Sequence, residues 1–453
     1  MMVITYAAFC ALGLLCIGLQ YWAIKTRREP PVGNNPLFLK FQRSYFLAYF
    51  PALLADWLQG PYLYKLYSHY GFEEQQIAVL YVCGFASTVI LGTWAPLAAD
   101  RFGRKKLCMF FTVVYSLACF FKLSLGYGLL LLGRLLGGVA TSLLFSAFEA
   151  WYVHEHIETH DFPREWIGVT FNKASVSNGV LAIIGGFIAN IVAEWMDFGP
   201  VAPFMLAVPC LLISGILVSS QWNENYSAQK APFKKTCMDG LQTIFTDPKI
   251  FLIGIITALF ESVMYIFVFI WTPVLDPGHP SLGIIFSSYM VCIMIGSAIF
   301  QLMVTRKVPV RNLLTFAIVT AFIANVMCIF ATHHSSPNRN LAFVSFLIIE
   351  ISVGIYFPSM SYLRAKLVPE ATRRSVMNWF RVPMNLIACV VLMLLHHDSF
   401  RHGNRLIFVT CSGLLAFALA GIVMFLAIVS RENTQTVDKL IVSEAEIEDI
   451  EEN

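Results

Sequence analysis

Charge is scarce in this chain. Only 13% of its 453 residues are Asp, Glu, Lys or Arg, where soluble globular chains carry about a quarter. With 57% hydrophobic residues and a mean hydropathy of +0.68, the composition excludes an ordinary soluble domain. Short alternating strands are missing as well, so the long apolar runs read as helices and not as a closed barrel. The 11 cysteines contain no C-x-x-C pair. Most sit inside apolar runs, as Cys10, Cys16, Cys83, Cys119, Cys292, Cys328, Cys389 and Cys411 do, which argues against a disulfide frame or a metal site. A net charge of +3 without a basic domain gives no footing for nucleic acid. No nucleophile, base and oxyanion set stands at any membrane boundary, so neither an enzyme nor a cofactor is expected.

What is present is a series of apolar runs of about 20 residues, each long enough to cross a roughly 30 Å hydrocarbon core. The first, Val3 to Ile24, lacks a basic leader and carries its charges afterwards, at Lys25, Arg27 and Arg28; it reads as a retained helix with its N-terminus outside. Twelve further spans are expected at 41–66, 75–99, 107–125, 129–153, 166–194, 201–221, 249–272, 282–304, 312–332, 340–363, 375–396 and 405–430. The expected organisation is an extra helix and basic linker at 1–40, a six-helix bundle at 41–221, a polar central loop at 222–248, a second six-helix bundle at 249–430 and an acidic, unfolded cytoplasmic tail at 431–453. Roughly 23 of the Lys and Arg residues then lie on the cytoplasmic side, as the positive-inside bias requires. Three cations, Arg134, Lys173 and Arg381, are read as lying inside spans. The one N-x-S/T sequence, at Asn225, falls in the cytoplasmic loop and should stay unmodified.

Asp100-Arg101-Phe102-Gly103-Arg104-Lys105-Lys106 is a dense basic turn between two apolar runs. It resembles the loop between the second and third helices of each half of major facilitator superfamily transporters. The resemblance implies a gate made of Asp100, Arg101, Gly103 and Arg104, in which the Asp stabilises one end of the alternating-access cycle through the opposite bundle. Pro96 stands where that pattern has its leading glycine, and the second-half counterpart, Arg306 to Arg311, has no acidic residue. Arg134, followed by Gly137 and Gly138, resembles the superfamily's fourth-helix arginine; a guanidinium in hydrocarbon demands an anionic or carbonyl partner. That partner is Glu149, a group on an adjacent helix, or the substrate. Lys173 and Arg381 hold equal rank in the fifth and eleventh spans and would flank a central cavity, either gripping a small anion or pairing with carboxylates. Asp56, Glu149, Glu261 and Glu350 are the candidate carboxylates. Asp56 and Gln59 share a helix face directed at a cavity, and Asp56 or Glu261 either exchanges a coupling proton or permanently partners Arg134 or Arg381. His154, Glu155, His156 and His160 have ligand-like spacing, but they stand at a solvated helix end with no cysteine, so no metal is expected.

Longer strings are more specific. Asp56-Trp57-Leu58-Gln59-Gly60-Pro61-Tyr62-Leu63-Tyr64-Lys65, Phe145-Ser146-Ala147-Phe148-Glu149-Ala150-Trp151-Tyr152, Leu259-Phe260-Glu261-Ser262-Val263, Trp271-Thr272-Pro273-Val274-Leu275-Asp276-Pro277 and Asn378-Trp379-Phe380-Arg381-Val382-Pro383 resemble the molybdate-anion transporter family, over nearly the whole chain. The resemblance implies an all-α polytopic membrane protein of the major facilitator fold, two six-helix bundles plus an N-terminal transmembrane helix. It further implies a plasma-membrane carrier for high-affinity molybdate uptake. A small tetrahedral dianion suits Arg134, Lys173 and Arg381 as charges, with Gln59, Asn172 and Asn378 as neutral donors. The residues alone leave two alternatives open: a carrier of sulfate, an organic acid or a sugar, and a non-transporting receptor or scaffold.

Overall fold

A computed structural model describes residues 1–26, 35–226, 233–333, 337–394 and 404–451, with side chains except at 91–101, 233–237, 374 and 432–451. Arg27, Arg28, Lys230, His334, His396 and His397 lie outside these residues. The described chain is helical: α1 Met2–Thr26, α2 Pro36–Gln59, α3 Leu63–His69, α4 Glu74–Phe102, α5 Arg104–Phe121, α6 Tyr127–Leu144, α7 Ala147–His154, α8 Glu165–Asn190, α9 Ala202–Gln221, α10 Phe233–Thr246, α11 Pro248–Leu275, α12 Leu282–Thr305, α13 Val310–Ala331, α14 Arg339–Leu367, α15 Arg373–Met393 and α16 Arg405–Glu451. Local chemistry sets several starts. Asn35 Oδ1 accepts from the amides of Leu37 and Phe38 ahead of Pro36, and Asp247 Oδ1 caps Lys249 N ahead of Pro248. A side-chain acceptor followed by a proline is a strong helix-opening signal.

Within the first bundle α2 packs on α8 and α9, α4 on α6, and α5 on α6 and α9. Within the second, α11 packs on α15 and α16, α12 on α14, and α13 on α14 and α16. The bundles meet where α8 lies on α12 and α4 on α15. Helix α1 joins the second bundle, along α12: Gln20 Nε2 donates to Met294 O at 2.9 Å and Gln301 Nε2 to Ala23 O at 3.3 Å.

Ten of these helices are long and apolar enough to cross a membrane: α1, α6 with its continuation to Thr159, α8, α9, and α11 through α16. The other three expected spans correspond to α2, α4 and α5. Helix α2 carries Lys40, Arg43 and Asp56, α5 opens on Arg104-Lys105-Lys106, and the apolar stretch of α4 is the shorter Glu74–Ile90. Two other expectations are corrected. The central loop forms α10, which packs on α15, because Phe233 to Thr246 has an apolar side spaced for a helix. The acidic tail continues α16 to Glu451, since Glu and the interspersed Leu and Ala are good helix formers.

Helices α12 and α14 cross where Gly296 faces Gly354. A Cβ on Gly296 would collide with the Ile351 carbonyl, and one on Gly354 with the Ile293 carbonyl. Neither backbone can yield cheaply, so Gly354→Ala should destabilise the protein by about 1–3 kcal/mol through overpacking. A lowered thermal midpoint in detergent is the expected result.

Candidate transport site and gates

The end of the molecule that carries the Gly103 turn is called the basic-loop end, and the other the far end. In the far half of the first bundle, Asp56, Gln59, Lys122 and Arg134 form one polar group. Tyr115 OH donates to Asp56 Oδ1, and Lys122 Nζ donates to Gln59 Oε1 at 2.7 Å while lying 4.5 Å from the Phe204 ring centroid. Arg134 Nε donates to Leu80 O at 3.2 Å, with its guanidinium 5.1 Å from the Tyr81 ring centroid. Gly84 makes room for it, since a Cβ there would strike the guanidinium. Asp56 and Gln59 thus turn into the bundle, toward α5, and not into a cavity between bundles. The other edge of α2 faces outward: Trp57 Nε1 donates to Asn178 Oδ1 at 2.7 Å, and its ring meets Phe286 of the second bundle. Arg134's partner is a carbonyl and a ring, not Glu149, whose side chain is exposed.

Lys173 belongs to a different place. Its Nζ donates to Gln42 Oε1 at 3.2 Å, and Gln42 Nε2 in turn donates to Thr170 Oγ1 at 2.8 Å. Thr170, Tyr152 and His156 continue the chain of hydrogen bonds to Pro163 O. Gln42 and Gln59 are separated by about 25 Å along α2 at 1.5 Å per residue, so Arg134 and Lys173 do not share one site. Lys173 stands eight residues into α8 and Arg381 eight residues into α15. Both are exposed, as is Asn172, while Asn378 is half-buried one turn before Arg381.

The second bundle's charges pair differently from the sequence expectation. Arg364 Nη2 donates to Glu261 Oε1 at 2.6 Å and to Thr257 Oγ1 at 2.8 Å, and Tyr356 OH donates to the same carboxylate at 3.3 Å. Glu261 is therefore the partner of Arg364, not of Arg134 or Arg381. Glu350 is 4% exposed, and its Oε2 has no hydrogen-bond partner among the described residues, so it does not pair with Arg381 either. Lys122 and Arg364 are the ionic residues the sequence reading missed. Each sits within a turn or so of a span boundary, where a cation looks solvated, yet Lys122 is 3% exposed.

At the basic-loop end, Gly103 turns the chain with φ of +96°, and a Cβ there would strike the Glu224 carboxylate. Glu224 lies just past α9 and caps α5, accepting from Lys105 N at 2.9 Å and Lys106 N at 3.1 Å. A carboxylate there satisfies orphan amides and complements the helix dipole. Arg104 Nη1 reaches Asn225 Oδ1 at 3.5 Å, and Asn225 Nδ2 donates to Glu155 Oε1 at 2.9 Å. Asn225 is 4% exposed, so a glycan is excluded sterically as well. Glu155 and His156 are buried, which corrects the expectation of a solvated helix end, and no metal-holding group of three is found among the described residues. The side chains of Pro96, Asp100 and Arg101 lie outside the described residues.

The far end holds the ties between bundles. Lys65 and Asp276 form an ion pair at 2.7 Å, Phe269 packs edge-on against Tyr64 and Tyr81, and the Gly186 and Gly283 backbones cross without room for a side chain. Glu194 accepts from Tyr62 OH at 2.7 Å and from Leu282 N at 3.0 Å.

Comparison with known proteins agrees with this arrangement. A family model described as sugar transporters with 12 transmembrane segments matches residues 4–351. The molybdate-anion transporter of Xenopus laevis is 45% identical over 88% of this chain and 89% of its own length. The protein of the same name from Danio rerio is 42% identical over 93% and 95%. Among solved structures, a point mutant of the nucleoside transporter NupG superposes with a TM-score of 0.68 at 13% identity, covering 84% of this chain and 99% of that one. The E. coli xylose transporter XylE superposes with a TM-score of 0.64 at 12% identity, covering 84% and 95%. At such identities these structures establish the fold alone, whereas the match to the family model and the identity to the vertebrate proteins establish kinship: the chain is a member of the molybdate-anion transporter family of the major facilitator superfamily.

Proposed function

We propose that this protein carries molybdate across the plasma membrane by alternating access between two six-helix bundles, 41–221 and 249–430, with α1 as an additional span. The vertebrate relatives are named as molybdate-anion transporters, and a carrier that binds and releases an oxyanion needs no catalytic residues. The observation that carries the reading is the matched pair of cations, Lys173 and Arg381, exposed at equal depth in α8 and α15. A dianion bridging them would be gripped by one charge from each bundle and released when the bundles rock apart. Asn172 and Asn378, beside or one turn from these charges, would supply neutral donors, whereas Arg134, held at Leu80 O near the other end of α2, is left out of the site. Asp56, held by Tyr115 near Lys122, is the better candidate for a coupling proton, because Glu261 is committed to Arg364.

Cells with and without the protein, grown in trace molybdate, test the reading. Expression should raise cellular molybdenum severalfold, in a manner that saturates as external molybdate rises. An unchanged molybdenum content with the protein at the cell surface would refute it. The orientation is tested separately: Lys25, Arg27 and Arg28 trail α1, so an N-terminal tag should be reachable from outside intact cells and a C-terminal tag should not. Both tags on one side would remove α1 from the proposed span count.

A further inference from the structure

We propose that Glu194 is the latch of the far-end gate, a carboxylate of the first bundle that caps a helix of the second and must let go for that end to open. The inference rests on the alternating-access reading and adds to it a residue that touches no substrate. At its end α8 changes to a π-turn over Ile191–Trp195, closed by Met196 N donating to Ile191 O at 2.8 Å. Such turns re-aim side chains and are frequent at functional sites. Here Glu194 points across the seam, where one oxygen collects Tyr62 OH from the chain between α2 and α3 and the Leu282 amide at the start of α12.

The second helix needs that carboxylate. Ser281 stands at the N-cap of α12 but makes no side-chain cap bond. Its hydroxyl is instead shared with Tyr6 OH of α1 at 3.1 Å, and Tyr6 OH also receives Trp195 Nε1 at 3.1 Å. The cap that α12 lacks from its own sequence is supplied by the opposite bundle, with the dipole favouring a negative charge at that point. Separating the bundles at this end would uncap α12 and break the Tyr6 to Trp195 bridge together, while Tyr62, on the same bundle as Glu194, holds the carboxylate in place. The closed state is held by a few strong contacts, which is the form a reversible gate requires.

The test reads gate opening without any solute, so it stands whether or not molybdate is the cargo. Asn190, 0% exposed beneath Tyr62 OH, is replaced as Asn190→Cys in a chain whose other accessible cysteines are removed, and labelling by a membrane-impermeant thiol reagent is timed. Adding Glu194→Ala should speed labelling by about tenfold or more, the equivalent of losing one charge-assisted hydrogen bond from the closed state. Glu194→Gln, whose amide oxygen can still accept both bonds, should stay within about threefold of the parent. Should Glu194→Ala fail to reach the membrane, Tyr6→Phe removes the neighbouring contact to Trp195 from the second-bundle side and should also speed labelling. Parent-like labelling in Glu194→Ala, or in Tyr6→Phe where the first is not expressed, at equal surface amounts, would overturn the proposal.

Discussion

Replacing Arg364 by Ala should cost about 3–5 kcal/mol of stability and largely abolish surface expression, because it leaves Glu261 buried without a counter-charge. The two side chains are 18% and 15% exposed and meet at 2.6 Å, so solvent cannot stand in for the lost partner. Thr257 and Tyr356 complete the group from α11 and α14. The expected asymmetry is informative: Arg364→Met combined with Glu261→Gln should recover much of the loss, since removing both charges removes the unpaired one. Surface biotinylation and detergent melting of the single and double variants measure this. A single variant as stable as the parent would show that the pair is not structural.

Neutralising Lys173 or Arg381 should instead spare folding and weaken uptake. Each side chain is exposed, and the buried partner of Lys173, Gln42 Oε1, is a neutral amide, so no buried charge is stranded. Loss of one charge-assisted contact to an oxyanion in a partly dry cavity costs about 2 kcal/mol or more, a tenfold or greater rise in half-saturating concentration. Arg381→Lys should fall between the parent and Arg381→Gln, because a point charge keeps the attraction but not the paired hydrogen bonds of the planar fork. Tracer uptake normalised to surface amount separates the cases. Parent-like affinity in both neutral variants would place the anion elsewhere.

The sequence revealed the helices and their rough limits because apolar length is a local property, and it revealed the equal rank of Lys173 and Arg381 because repeats preserve spacing. Pairing was less legible. Asp56 and Gln59 do share a helix face, but the face turns inward to Tyr115 and Lys122, and one helix's periodicity carries no sign of which neighbour it addresses. Lys122 and Arg364 were missed because a cation near a span end looks identical in sequence whether it reaches water or a buried acceptor. Glu194 carries no mark in the sequence, although it ties the two bundles by accepting from the Leu282 amide while Tyr62 holds it. Only the fold brings α2, α8 and α12 to that point. Helix α10 was hidden by the expectation that a charged connector stays open, whereas its apolar edge finds α15.

The central claim is that this chain itself moves molybdate, and purified protein in lipid vesicles tests it most directly. Vesicles containing the protein should accumulate tracer molybdate saturably, with the rate reduced at least tenfold at low molybdate by Lys173→Gln or Arg381→Gln, and protein-free vesicles should not. Equal accumulation with and without the protein, under both inward and outward proton gradients, would contradict the account.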